Sequence, residues 1–130
     1  MLAAGEVDAA RTDIFAAIEA EPSNQKFYTE ASVKALQAEQ SELGCDLARA
    51  GIARFPQSAA LHRLHGAATL RLLRYAESEA ALRQSLSLDN SQALTYFLLG
   101  SVLDRSGKSE SAQWYLRQAA RLDGRYAARR

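Results

Sequence analysis

The sequence predicts an all-α protein assembled from repeated helical hairpins, and three observations carry that prediction. Apolar residues recur at three- and four-residue steps along most of the chain, the spacing that gathers them on one face of a helix. Residues that stop a helix or open a turn, Pro22, Pro56, Asn90 and Gly124, stand 34 residues apart. Two columns of small residues keep the same interval: Ser32, Gly66 and Gly100, and Ala10, Gly44, Ser78 and Ala112. A fixed period changes the meaning of every residue inside it, because each unit must bury its apolar face against a neighbour of the same kind.

The clearest unit is 93–126. Tyr96, Leu99, Gly100 and Leu103 share a face of one helix, and Ala112, Leu116, Ala119 and Leu122 share a face of the next. A tight turn at Ser106-Gly107 folds the two together, and Gly100 and Ala112 are small where they cross, which lets the backbones approach. By the same reading helices are expected over 6–20, 24–38, 41–54, 58–72, 75–87, 92–105 and 109–122. Ser23 or Asn24, Ser41, Ser58, Ser91 and Ser109 stand near their starts, where a side-chain oxygen can accept from free backbone N–H groups. No strand pattern competes.

Residues 1–24 align with the second half of a unit, from Gly5 at the turn through Val7, Ala10, Ile14, Ala17 and Ile18 to Pro22. The division is therefore a half repeat at 1–24, full repeats at 25–58, 59–92 and 93–126, and a tail at 127–130. The half repeat reads either as a natural cap or, by preference, as a cut from a longer array, which would leave apolar surface on helix 6–20 for a missing neighbour. The tail from Arg125 is too short to cover the last hairpin, which predicts self-association through that end or a continuation of the chain.

In register over nearly its whole length, the chain resembles the tetratricopeptide repeat (TPR) family, with its W-x2-L-G-x2-Y, A-x3-F and closing proline pattern. The last unit matches at Tyr96, Leu99, Gly100, Leu103, Ala112 and Leu116, with Gly124 in place of proline. The middle unit holds His62, His65, Gly66, Thr69, Ser78, Leu82 and Asn90 at those positions, and the first full unit holds Tyr28, Ala31, Ser32, Ala35, Gly44, Ala48 and Pro56. The resemblance implies a right-handed α-solenoid of about three and a half hairpins that binds protein.

Composition suits one domain: 130 residues, 48% apolar, 24% charged and a net charge of +1. No apolar run approaches the roughly 20 residues needed to span a membrane, and MLAAGEVDAA is too polar for a signal-peptide core. Compartment is left open, the cytoplasm being preferred to the periplasm. Charge is polarised, with nine acids against three basic residues through Asp46 and six against thirteen beyond it. Such poles can steer an acidic partner or favour head-to-tail contact. The basic residues lack the interleaved aromatics of a nucleic-acid platform, so no nucleic acid is expected.

No constellation supports catalysis: phosphate loop, H-E-x-x-H, paired cysteines and nucleophile motifs are all missing. His62 and His65, three apart on one helix, hold packing positions of the repeat, and no carboxylate or thiol is placed by sequence to join them on a metal. Cys45, the single cysteine, reads as a buried inert thiol. Neither metal nor cofactor is expected.

The resemblance assigns the first helix of each hairpin to a concave groove. Its wall would carry Val33 and Leu36, then Arg63, Ala67, Leu70 and Arg71, then Leu94, Phe97, Ser101 and Arg105, which suits a peptide with apolar anchors and a carboxylate. Relatives that grip acidic chaperone tails use Lys, Asn, Asn, Lys and Arg; the matching positions here are Thr29, Val33, Leu64, Leu94 and Leu98, so that clamp is not expected. Trp114 breaks a column of Thr12, Asp46 and Ala80 and, with Tyr115, marks a candidate outer contact for a partner or second copy, with cover by Tyr126 as its alternative. The expected function is a non-enzymatic scaffold. Its rivals are a regulatory or substrate-docking arm of a larger enzyme, such as a glycosyltransferase or protease, and a module that assembles with itself.

Overall fold

The computed structural model describes residues 11–12 and 24–127. Six α-helices follow in order: α1 Gln25–Gln37, α2 Ser41–Arg54, α3 Ala59–Arg71, α4 Tyr75–Leu88, α5 Ala93–Arg105 and α6 Ser109–Leu122, with a short 3-10 turn at Gly124–Tyr126. The first helices of the three hairpins are each 13 residues long, the second helices 14. Corresponding starts are 34 residues apart, so the interval read from helix breakers is the interval of the architecture. The half repeat at 1–24 lies outside the described residues except for Asn24 and for Arg11 and Thr12, which are helical; Arg11 pairs with Asp46 on α2. Among the described residues no helix is long and apolar enough to cross a membrane.

Each hairpin closes by the same backbone device. Glu39, Leu73 and Gly107 stand 34 residues apart with φ of 61°, 63° and 81°. The next residue donates its N–H back to a carbonyl of the first helix: Gln40 to Ala35 at 2.8 Å, Arg74 to Thr69 at 2.9 Å and Lys108 to Leu103 at 2.8 Å. This is a Schellman closure, which favours glycine at the left-handed position. Only Gly107 supplies one, so the other two turns carry a penalty of roughly 1–2 kcal/mol each. That is why sequence disclosed one turn sharply and the others hardly at all.

Helix starts divide into two kinds. Asn24 accepts from the Lys26 N–H at 3.0 Å and Ser58 from the Leu61 N–H at 3.3 Å, as expected of caps. Ser41 and Ser109 are instead the first residues of their helices, behind Gln40 and Lys108, which make no side-chain cap bond. Ser91 belongs to the preceding connection, its hydroxyl donating to Asp89 at 2.6 Å. The second helix of each hairpin leaves its Schellman turn without a spare residue, which moves the serine inward by one.

The small columns are contact points. Ser32 donates its hydroxyl to the Gly44 carbonyl at 3.0 Å, and Ser78 donates to the Gly66 carbonyl at 2.7 Å. The hydroxyl thus lies on the first helix in one hairpin and on the second in the next, each time facing a glycine. In the third hairpin, a Cβ built on Gly100 would stand 3.2 Å from the Ala112 carbonyl and 2.7 Å from Leu116. A further column, Gly51, Ser85 and Ala119, is fully or almost fully buried: a Cβ on Gly51 would meet Tyr28 and Leu61, where the first two hairpins join, and the Ser85 hydroxyl donates to the Ala59 carbonyl at 2.8 Å within the second hairpin.

Two apolar clusters fill the stack. One gathers Tyr28, Leu36, Leu43, Leu47, Leu61 and Leu64; the other gathers Leu70, Leu82, Leu99, Val102 and Leu103. Each bridges two hairpins, as a stacked repeat requires. Leu122, expected on the buried face of α6, is 51% exposed. Among the described residues one buried side-chain oxygen, Thr95 Oγ1, has no hydrogen-bond partner. Thr95→Val keeps the shape and removes the orphan, so it is expected to stabilise by about 1 kcal/mol, raising Tm by roughly 3–6 °C. A scanning calorimetry trace with unchanged or lower Tm would show that the hydroxyl is satisfied in solution.

Candidate functional site

The helices that open each hairpin touch one another directly, α1 on α3 and α3 on α5, so they lie on the more tightly packed side of the stack. Their outward faces form the candidate wall. Val33 and Leu94 are exposed, Ala67, Phe97 and Ser101 half-buried, and Arg105 exposed. Phe97 packs on Tyr126 with ring centroids 5.0 Å apart, so the terminal turn borders this wall. The Ser101 hydroxyl donates to the Phe97 carbonyl at 2.9 Å within its own helix.

Three of the expected wall residues are used internally. Leu36 is buried because Gly44 opposite it has no side chain; a Cβ there would stand 2.9 Å from Leu36 Cδ2. Leu70 is buried in the cluster between the second and third hairpins. Arg71, though exposed, donates to the Leu36 carbonyl at 2.6 Å and ties the end of α1 to α3.

Arg63 is different. It is half-buried on α3 and makes no ion pair or hydrogen bond among the described residues. Burial pulls its pKa below the usual guanidinium value, while Asp89 and Tyr126 act in the opposite direction. A cation that has lost water and feels a carboxylate only at a distance, with no hydrogen-bonded ion pair, is under-compensated. Arg63, Tyr126 and Phe97 therefore set a cation beside aromatic surface.

On α6, Trp114 is 48% exposed. Its ring meets Tyr115 edge-on at 4.8 Å between centroids, whereas Tyr126 turns to Phe97, so the cover by Tyr126 expected as an alternative is not what the fold provides. Tyr115 is half-buried, its hydroxyl accepting from Arg83 Nη1 at 3.0 Å. Arg83 also donates to Glu79 at 3.0 Å, as does Lys108 at 3.1 Å. Burial works against the Glu79 charge, but the hydrogen bonds from Arg83 and Lys108 hold its carboxyl below the usual range.

The two histidines have separate roles. His62 Nε2 lies 2.9 Å from the Pro56 carbonyl, and since a carbonyl only accepts, the ring carries its proton there. Tyr96, one period later, donates to the Asn90 carbonyl at 3.0 Å, so His62 does the work of the repeat's aromatic position. His65 Nε2 lies 2.8 Å from Glu77 Oε2. Cys45, on α2, is fully buried beside that pair. Sequence spacing gave no sign of this meeting, because the three residues sit on three helices.

No family model matches the chain, and no curated protein matches it. Solved structures do. The structure of MamA superposes with a TM-score of 0.79 at 18% identity, covering 92% of this chain and 70% of that one. MamA from Desulfovibrio magneticus RS-1 gives 0.75 at 18% identity, over 95% of this chain and 70% of that one. The first TPR domain of Spaghetti (RPAP3), bound to the HSP90 peptide SRMEEVD, gives 0.73 at 19% identity, over 77% and 79%. The chain has the tetratricopeptide-repeat fold.

Proposed function

We propose that the chain is a non-enzymatic protein-interaction module that holds a peptide with apolar anchors and a carboxylate along the outward faces of α1, α3 and α5. The observation that carries this reading is Arg63, half-buried and without an ion-pair partner among the described residues, next to Tyr126 and Phe97. A peptide carboxylate would supply a hydrogen-bonded counter-charge in a partly desolvated place, where a guanidinium hydrogen bond is strongest. Val33, Ala67, Leu94 and Phe97 offer the apolar contacts, and Arg105 a second cation. That a fold neighbour is bound to an HSP90 peptide supports peptide binding by this fold. The peptide here must differ from the acidic chaperone tail, since Thr29, Val33, Leu64, Leu94 and Leu98 stand where that clamp needs Lys, Asn, Asn, Lys and Arg. Trp114 is the candidate for a separate outer contact.

The test is a peptide-array screen followed by titration of the best ligand. Arg63→Ala combined with Phe97→Ala is expected to weaken binding by about 100-fold or more while leaving helical circular dichroism unchanged. Unchanged affinity would place the binding surface elsewhere.

A further inference from the structure

Three ligand-bearing side chains of different chemistry converge where the second hairpin packs on the first. Cys45 comes from α2, His65 from α3 and Glu77 from α4, and a sulfur, a ring nitrogen and a carboxylate oxygen lie within 4.8 Å of one another. A polar pair alone would be ordinary, since His65 and Glu77 satisfy each other at 2.8 Å. What that pair does not explain is a thiol set against it from a third helix.

Two chemistries use such a trio. In a cysteine nucleophile the imidazole activates the thiol, which requires a thiolate that is both accessible and easily formed. Cys45 is fully buried, and burial first, then Glu77, push its thiol pKa up. A bound cation reverses that balance, because its own charge stabilises thiolate and carboxylate together. The metal reading also uses all three donors, each already at the site.

We propose that Cys45, His65 and Glu77 form a binding site for one divalent cation of the zinc class. Sulfur, imidazole nitrogen and carboxylate oxygen make a mixed donor set suited to a borderline-soft ion. Tetrahedral zinc at its usual bond lengths separates ligand atoms by about 3.3–3.8 Å, so the present spacing needs an adjustment on the order of 1 Å, within reach of side-chain rotation. Three protein ligands leave a fourth position. A shallow cleft of about 480 Å³ borders His65 and Glu77, with Arg49, Ile52, His62 and Gln84 also in its lining. The fourth position faces this cleft and takes water or a small anion. The bound ion would clamp α2, α3 and α4, joining two hairpins through a bond the apolar contacts do not supply.

Co(II) titrated into the full chain tests the site, because thiolate ligation gives a ligand-to-metal absorption that oxygen or nitrogen ligation does not. One equivalent is expected to bind with that absorption and to be displaced by Zn(II), and Zn(II) is expected to raise Tm. Cys45→Ala and His65→Gln should each weaken Co(II) binding by more than about 100-fold and abolish the Zn(II)-dependent rise, read within each variant against its own metal-free Tm. Glu77→Gln, at a half-buried position that keeps the hydrogen bond to His65, should weaken binding by about tenfold or more. Absence of one-to-one binding in the wild-type chain overturns the proposal, as does full affinity in Cys45→Ala.

Discussion

Gly66→Ala and Leu82→Ala are each expected to destabilise the chain, and to compensate in part when combined. A Cβ at residue 66 would stand 2.5 Å from Leu82 Cγ and 2.6 Å from Leu82 Cδ2, and Leu82 is fully buried. In an isolated helix the change to alanine gains about 1 kcal/mol. Here the branch point of a packed side chain is in the way, and overpacking costs about 1–3 kcal/mol, leaving a net loss of about 1 kcal/mol. Leu82→Ala removes buried methyl groups and leaves a cavity, a loss of about 2–5 kcal/mol. In the double variant the new methyl enters space that Leu82 vacates, so the summed loss should fall short by about 1–2 kcal/mol. Urea titrations of the four proteins measure it. Strict additivity would mean that Leu82 has room to move aside.

Gly51→Leu is expected to part the first hairpin from the other two. A Cβ on Gly51 would meet Tyr28 Cβ at 2.8 Å and Leu61 Cδ1 at 2.9 Å, the first on α1 and the second on α3. Tyr28 Cβ is fixed to the backbone and cannot swing away, so α2 must move off α1, and the larger side chain then displaces Leu61 and loosens the contact with α3. Overpacking of this kind costs about 3 kcal/mol, concentrated at one interface of the stack. Stability in stacked repeats is close to a sum of unit and interface contributions, so weakening one interface separates the transitions. Guanidinium unfolding followed by circular dichroism and by Trp114 fluorescence should lose coincidence, with the signal from α6 persisting longer. Coincident curves at an unchanged midpoint would refute the assignment of Gly51 to that junction.

The period and the hairpins were legible because helix breakers and crossing residues are both forced by geometry that repeats. Pro56 and Asn90 fall in the connections, and Gly66 and Gly100 at the crossings, as their spacing implied. The wall was legible only in part. Leu36 reads as a surface leucine until one knows that it fills the space beside Gly44, a contact that depends on the partner helix. Leu70 likewise belongs to an interface between hairpins, where periodicity within one helix carries no information. Cys45, His65 and Glu77 have no motif spacing, since the distance between them is set by stacking rather than by sequence. Their repeat register places them on helices that must meet, which is the one signal that could have found them.

The alternation of hydroxyl and glycine at the crossings bears on how the hairpins could be exchanged. With Ser32 facing Gly44 and Ser78 facing Gly66, the bulky member changes sides from one hairpin to the next. A chimera that joined the opening helix of the first hairpin to the closing helix of the second would set two serines face to face in a gap sized for one. The reciprocal splice would set two glycines there and leave a hollow. Shuffling in this protein is therefore confined to whole hairpins, and a half taken alone carries the wrong complement.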